Sequence, residues 1–147
     1  MLFIANAYVM NPATGEEGYQ DILIEGSRIV KMGENLYDTM TKNGETEGLQ
    51  IIDATGLVAA PGLVDVHVHF RDPGFTYKED IETGAKAALK GGYTTVVLMA
   101  NTKPVADNAE TLAYVLEKGQ KTGLHVETCA CVTRGMKGQE LTDMEQL

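Results

Sequence analysis

Short apolar runs separated by turn residues mark the first 60 positions. Gln20-Asp21-Ile22-Leu23-Ile24-Glu25 and Arg28-Ile29-Val30-Lys31-Met32 flank Gly26-Ser27, and a glycine at the first central position suits a two-residue hairpin turn. Residues 34–48 are polar and contain Asn43-Gly44 and Gly48, which predicts an exposed loop before a further strand at 49–52. This part is expected to be small, β-rich and built from short antiparallel strands.

From Pro61 the pattern changes. Strands are predicted at 62–70, 93–99 and 124–132, with helices between them. The first helix is predicted over 77–90: Thr76 and Glu79 have capping-box spacing, Ile81, Ala85, Ala88 and Leu89 fall on one face, and Gly91-Gly92 supplies the stop. That Gly pair follows a helix instead of opening one, so it belongs to capping and not to phosphate binding. The second helix is predicted over 109–121, capped by Asp107 or Asn108, with Leu112, Val115 and Leu116 inward and Gly123 just past its end. Alternating strands and helices imply a parallel sheet with right-handed crossovers, in either a doubly wound sheet or part of a barrel. A complete (β/α)8 barrel needs roughly 250 residues, so a barrel here would be partial, with about three strands and two helices. Residues 141–147 look like the opening turn of a helix, with Thr142 and Glu145 in capping-box register, and this predicts a truncated chain or proteolytic fragment.

The 147 residues are 44% apolar and 22% charged, the balance of a globular protein. Twelve Lys and Arg against 21 Asp and Glu give a net charge of -9. The acidic residues are scattered, which argues against nucleic acid and anionic membranes as partners. A small anionic substrate stays open, because one well-placed Arg outweighs a diffuse field at contact distance. The N-terminus lacks a basic n-region, and Asn6, Asn11 and Pro12 break its apolar stretch, so it reads as strand and turn, not signal peptide. No run reaches membrane-spanning length. Cys129 and Cys131, the only cysteines, stand too close for a disulfide framework, and a reducing cytoplasm is expected.

The chemistry gathers at His67-Val68-His69, at the end of an apolar strand. Period-two alternation points both imidazoles to one face and offers two adjacent nitrogen ligands for zinc or a related divalent metal. An isolated H-x-H is more often two ordinary histidines. Here Asp65 precedes, Arg71 follows and Asp72-Pro73-Gly74 closes the strand, a cluster too polar for a plain core strand. Arg71 is placed to fork onto a substrate carboxylate; its bland alternative is a surface ion pair with Asp72 or Glu79. Asn101, just after the second strand, would donate to the same carboxylate or simply begin a loop as an Asx-turn residue. Asp65 would accept the outer N–H of a ligand histidine or make a deeper structural hydrogen bond. His125 reads as an exposed strand-start histidine, and Cys129 and Cys131 as small buried residues.

The string His67-Val68-His69-Phe70-Arg71-Asp72-Pro73-Gly74-Phe75-Thr76-Tyr77-Lys78-Glu79 resembles the signature of the dihydroorotase family within the amidohydrolase superfamily. Ala60-Pro61-Gly62-Leu63-Val64-Asp65, Lys90-Gly91-Gly92-Tyr93-Thr94-Thr95 and Asn101-Thr102-Lys103-Pro104 also look like it, with Ala100 where the family often has Pro. The first 60 residues match the superfamily's N-terminal strands more loosely. The resemblance implies that residues 1–60 are a segment of a small β-sandwich and residues 61–147 the first units of a truncated TIM barrel. It implies a zinc centre of one or two ions with His67 and His69 among its ligands, and Arg71 and Asn101 holding the carboxylate of dihydroorotate or carbamoyl-aspartate. The activity it implies is hydrolysis of the cyclic amide, or the reverse ring closure, in pyrimidine biosynthesis. The remaining ligands and the catalytic Asp would lie on later strands, so no catalytic residue is assigned and this chain alone is expected to be inactive.

Allantoinase, hydantoinase and dihydropyrimidinase share the H-x-H strand, but Arg71-Asp72-Pro73-Gly74 and Asn101-Thr102 fit dihydroorotase better. A non-catalytic scaffold or inert fragment that self-associates through strand edges is the reading from another class. A complete doubly wound domain ranks last, because Phe70-Arg71-Asp72-Pro73-Gly74 offers no glycine-rich phosphate loop.

Overall fold

A hairpin opens the structure. In the computed structural model, which describes residues 1–147, β1 (Leu2–Asn11) pairs antiparallel with β2 (Glu16–Glu25), and β2 with β3 (Arg28–Gly33) around Gly26-Ser27. Gly26 has φ +59°, a conformation that costs glycine nothing. The chain divides into two units, 1–61 and 62–147.

In the first unit the expectation of purely antiparallel strands fails. β4 (Gln50–Asp53) and β5 (Val58–Ala59) both run parallel to β1, giving the order β3-β2-β1-β4 with β5 also on β1. A parallel return needs a crossover, and it contains α1 (Leu36–Lys42) inside the segment expected to be a loop. Only Leu36 and Met40, one helical turn apart, mark that helix in the sequence; both are buried with Phe3 and Leu23. Ala7, Val9, Ile22 and Ala54 form a second cluster in the same unit. The buried Asp21 accepts the Asn6 N–H (2.9 Å), where β1 changes register, and the Tyr37 N–H (3.4 Å) of α1.

The second unit is mixed α/β. β6 (Leu63–Val68), β7 (Tyr93–Leu98) and β8 (His125–Thr128) are parallel and adjacent in that order, with α2 (Ile81–Lys90) and α3 (Ala109–Gly119) as crossovers. Ile81, Ala85, Val96, Leu98, Val115 and Val126 fill the core between sheet and helices. Two glycines permit that approach. A Cβ on Gly84 would lie 2.5 Å from the Phe70 ring, and one on Gly119 2.5 Å from Val126 Cβ. Leu63, Val64 and Val66 of β6 stay exposed.

Boundaries differ from the sequence reading for local reasons. α2 begins at Ile81 and not at residue 77, because Asp80 is its cap, accepting the Thr83 N–H at 2.9 Å, while 76–78 form a turn. Of its predicted inner face, Ile81 and Ala85 are buried and Leu89 is exposed. α3 is capped by Asn108, which accepts the Thr111 N–H at 2.9 Å, and ends at Gly119. β8 is shorter than 124–132, since beyond it the Cys131 N–H turns to Ala106 O (2.7 Å). The capping box at Thr142 and Glu145 does not form. Met144–Gln146 is a 3-10 turn with no side-chain cap, and Thr142 Oγ1 is buried without a partner. No helix is long and apolar enough to cross a membrane.

Candidate metal and carboxylate site at the ends of two parallel strands

β6 ends at Val68, so His67 is the strand's penultimate residue and His69 lies just beyond it. Their rings are neighbours, with centroids 5.2 Å apart and planes at 63°. Both are exposed, in contrast to Phe70, which is buried in the core. The alternation expected of this segment therefore holds in its geometry.

Parallel pairing brings the next strand's end alongside. Val68 is in register with Leu98, and the Met99 N–H donates to Val68 O at 2.9 Å. Asn101 thereby reaches His69, whose Nδ1–H donates to Asn101 Oδ1 at 2.9 Å. With the tautomer assigned from that bond, Nε2 keeps its lone pair free for a cation. Of the two readings of Asp65, the structure has it in a structural hydrogen bond and not bonded to an imidazole. Its Oδ1 accepts the backbone N–H of His67 (3.0 Å), and the acceptor for an imidazole is Asn101.

Arg71 is half-buried, and its φ of +62° is left-handed, a conformation that costs a side-chain-bearing residue about 1–3 kcal/mol unless its surroundings hold it. Its carbonyl accepts the Phe75 N–H at 2.9 Å. The surface ion pair considered for it is not made. Asp72 is instead fully buried against Lys118 Nζ (2.7 Å) and the Tyr114 hydroxyl (2.9 Å), while Glu79 accepts from Asp80 N–H and Thr83 Oγ1. The hydrogen bond to Asp72 raises the Lys118 pKa above its ordinary value, with the contact to Tyr114 adding and burial opposing. The loops carrying Arg71 and Asn101 also touch directly: the Lys103 N–H donates to Pro73 O at 3.0 Å, and a Cβ on Gly74 would meet Lys103 O at 2.1 Å.

Sequence reasoning missed Asp72, Tyr114 and Lys118 as a group. Tyr114 and Lys118 are one helical turn apart, but nothing in sequence shows that this face of α3 meets a carboxylate 42 and 46 positions earlier. His125 is exposed, with Nε2 2.7 Å from Glu127 Oε1. Cys129 is half-buried and Cys131 buried, and both are free. No three of the His, Cys, Asp and Glu side chains gather as a metal-binding group.

Comparison with known proteins bears on what such a site serves. The family model described as dihydro-orotase-like matches residues 56–147. The dihydroorotases of Clostridium acetobutylicum and Clostridioides difficile are 48% and 50% identical over all 147 residues. The chain spans 33% of the length of each of these relatives. Among solved structures, the L-hydantoinase (dihydropyrimidinase) of Arthrobacter aurescens superposes with a TM-score of 0.76 at 19% identity, over 90% of this chain and 28% of that one, a likeness of fold. Matched along its whole length by these relatives and over its entire second unit by the family model, the chain belongs to the dihydro-orotase-like family.

Proposed function

We infer that this chain is the N-terminal third of a dihydroorotase, a zinc-dependent hydrolase that interconverts dihydroorotate and N-carbamoyl-aspartate. The observation that carries this reading is the adjoining pair His67 and His69, one of them held by Asn101, beside the loop that bears Arg71. In the same reading, residues 1–60 belong to the small β-sandwich of such an enzyme and residues 61–147 are the first three strands and two helices of its (β/α)8 barrel. The parallel β6-β7-β8 order with helical crossovers supports this.

The donor chemistry suits zinc. Neutral imidazole nitrogen is a favoured ligand, and the bond from His69 Nδ1–H to Asn101 leaves Nε2 available. His67 and His69 would hold the ion as part of a set that normally numbers about four ligands, the others coming from outside this chain. Bound there, zinc supplies Lewis-acid polarisation of the amide carbonyl and lowers the pKa of a water. Arg71 then binds the substrate carboxylate through paired charge-assisted hydrogen bonds, and Asn101, whose oxygen is used by His69, donates to it through its NH2 group. A guanidinium left without its anion disfavours uncharged rings, which is the basis of selectivity over hydantoin. The proton-transferring group lies outside this chain, so this chain alone binds zinc weakly and turns nothing over.

The decisive experiment assays a polypeptide that continues this chain to the family's full length, on dihydroorotate, hydantoin and allantoin. Dihydroorotate is the preferred substrate, and His67→Ala abolishes turnover. Preference for hydantoin or allantoin would transfer the chain to those activities. Taken alone, the chain self-associates, because Leu63, Val64 and Val66 expose apolar surface on β6.

A further inference from the structure

We propose that Asp72 is the positioning residue for Arg71, fixing the backbone from which the guanidinium projects without touching substrate itself. The proposal rests on the reading of Arg71 as the carboxylate contact. Asp72 is 0% exposed and both of its oxygens are engaged. Oδ1 accepts from the Tyr114 hydroxyl (2.9 Å), and Oδ2 accepts from Lys118 Nζ (2.7 Å) and the Ile81 N–H (3.3 Å). The partners come from the start of α2 and from two successive turns of α3.

Stability alone is a weak reason for such a group. A buried ion pair is matched or bettered by well-packed apolar residues of similar size, and its attested use is to specify one arrangement over others. The arrangement specified here begins at the adjacent residue. Arg71 sits at φ +62°, where an L side chain persists only if its surroundings over-determine it. Asp72 pins the chain immediately after Arg71. Next along, Pro73 O takes the Lys103 N–H (3.0 Å), and Gly74 abuts the Lys103 carbonyl where no Cβ fits. The roots of Arg71 and Asn101 therefore share one frame, and Asp72 ties that frame to two helices.

The test uses the full 147-residue chain with Tyr114→Phe, Lys118→Met and Lys118→Arg. Amide hydrogen exchange reads Phe75 and Lys103, whose N–H groups bond to Arg71 O and Pro73 O, against Met99 and Cys129, whose N–H groups bond to Val68 O and Leu98 O at the strand ends. In Tyr114→Phe and Lys118→Met, exchange at Phe75 and Lys103 rises about tenfold while Met99 and Cys129 stay within about twofold. Lys118→Arg restores protection. Titration with N-carbamoyl-aspartate of the same variants, carried in the chain continued to the family's full length, shows affinity falling in the two loosened variants and recovering in Lys118→Arg. A uniform rise at all four amides, no rise at Phe75 and Lys103, or unchanged acid affinity in loosened variants overturns the proposal. If Lys118→Met does not fold, Tyr114→Phe, which keeps the ion pair, decides alone. Loosening as expected, in a full-length protein that binds no acid even unsubstituted, leaves the positioning of the loop standing and removes the reading of Arg71.

Discussion

The bond between Asn101 and His69 changes what the asparagine contributes. Read from sequence, Asn101 is a donor to substrate or an Asx-turn residue; in the structure its oxygen takes the His69 Nδ1–H and sets which ring nitrogen faces outward. Removing such an acceptor typically costs about 10–100-fold in metal affinity. Asn101→Leu should therefore weaken zinc binding by about tenfold, measured by competition with a chromophoric chelator, while Asn101→Asp, which still accepts, should retain it. Equal affinity in Asn101→Leu would show that the bond does not orient a ligand. The juxtaposition of His67 and His69 was legible because alternation along one strand is a local property. The partnership across 32 positions was not, since it depends on the parallel register of Val68 with Leu98.

At the scale of elements, the existence and order of strands and helices beyond residue 61 followed from periodicity, while their ends were decided by single side chains. Asp80 in place of Thr76 moved the start of α2, and α1 went unread because two buried residues in a polar stretch carry too little periodic signal. Asn108→Ala should cost about 1 kcal/mol through loss of the α3 cap, seen as a lowered denaturation midpoint with unchanged slope. Gly84→Ala forces a methyl against Phe70 and should destabilise by about 1–3 kcal/mol despite alanine's better helix propensity. A stabilised Gly84→Ala would mean that the ring moves aside freely. The caps also set the response to acid. The Thr83 N–H holds the Asp80 carboxyl below its usual pKa, and the Gly135 N–H does the same for Asp107. Both pKa values are lower folded than unfolded, so their contribution is complete above the ordinary carboxylate range and lost as pH falls through the folded values. Lys118, raised by Asp72, behaves oppositely: its contribution is complete at neutral pH and lost only as pH climbs through its raised value. Melting temperature against pH should thus be level around neutrality and fall at both extremes.

For the whole molecule the governing feature is a three-stranded parallel sheet whose first strand is open. Parallel sheets are ordinarily covered on both faces, yet in β6 Leu63 is 53%, Val64 58% and Val66 67% exposed. In an isolated chain this surface, together with an unpaired strand edge, favours association between copies. Sedimentation of the 147-residue chain should show a concentration-dependent shift to larger species at neutral pH. Val66→Lys places a charge on the most exposed of the three without entering the core formed by Ile81, Val96 and Val115. It should move the association to higher concentration while the melting transition of the dilute protein stays where it was. A chain that sediments as a monomer at every concentration, with or without Val66→Lys, would mean that the open strand is protected within the chain itself, and the self-association reading would fall. If association persists unchanged in Val66→Lys, the contact lies elsewhere, and the exposed residues of β3, Ile29 and Val30, become the surface to charge next.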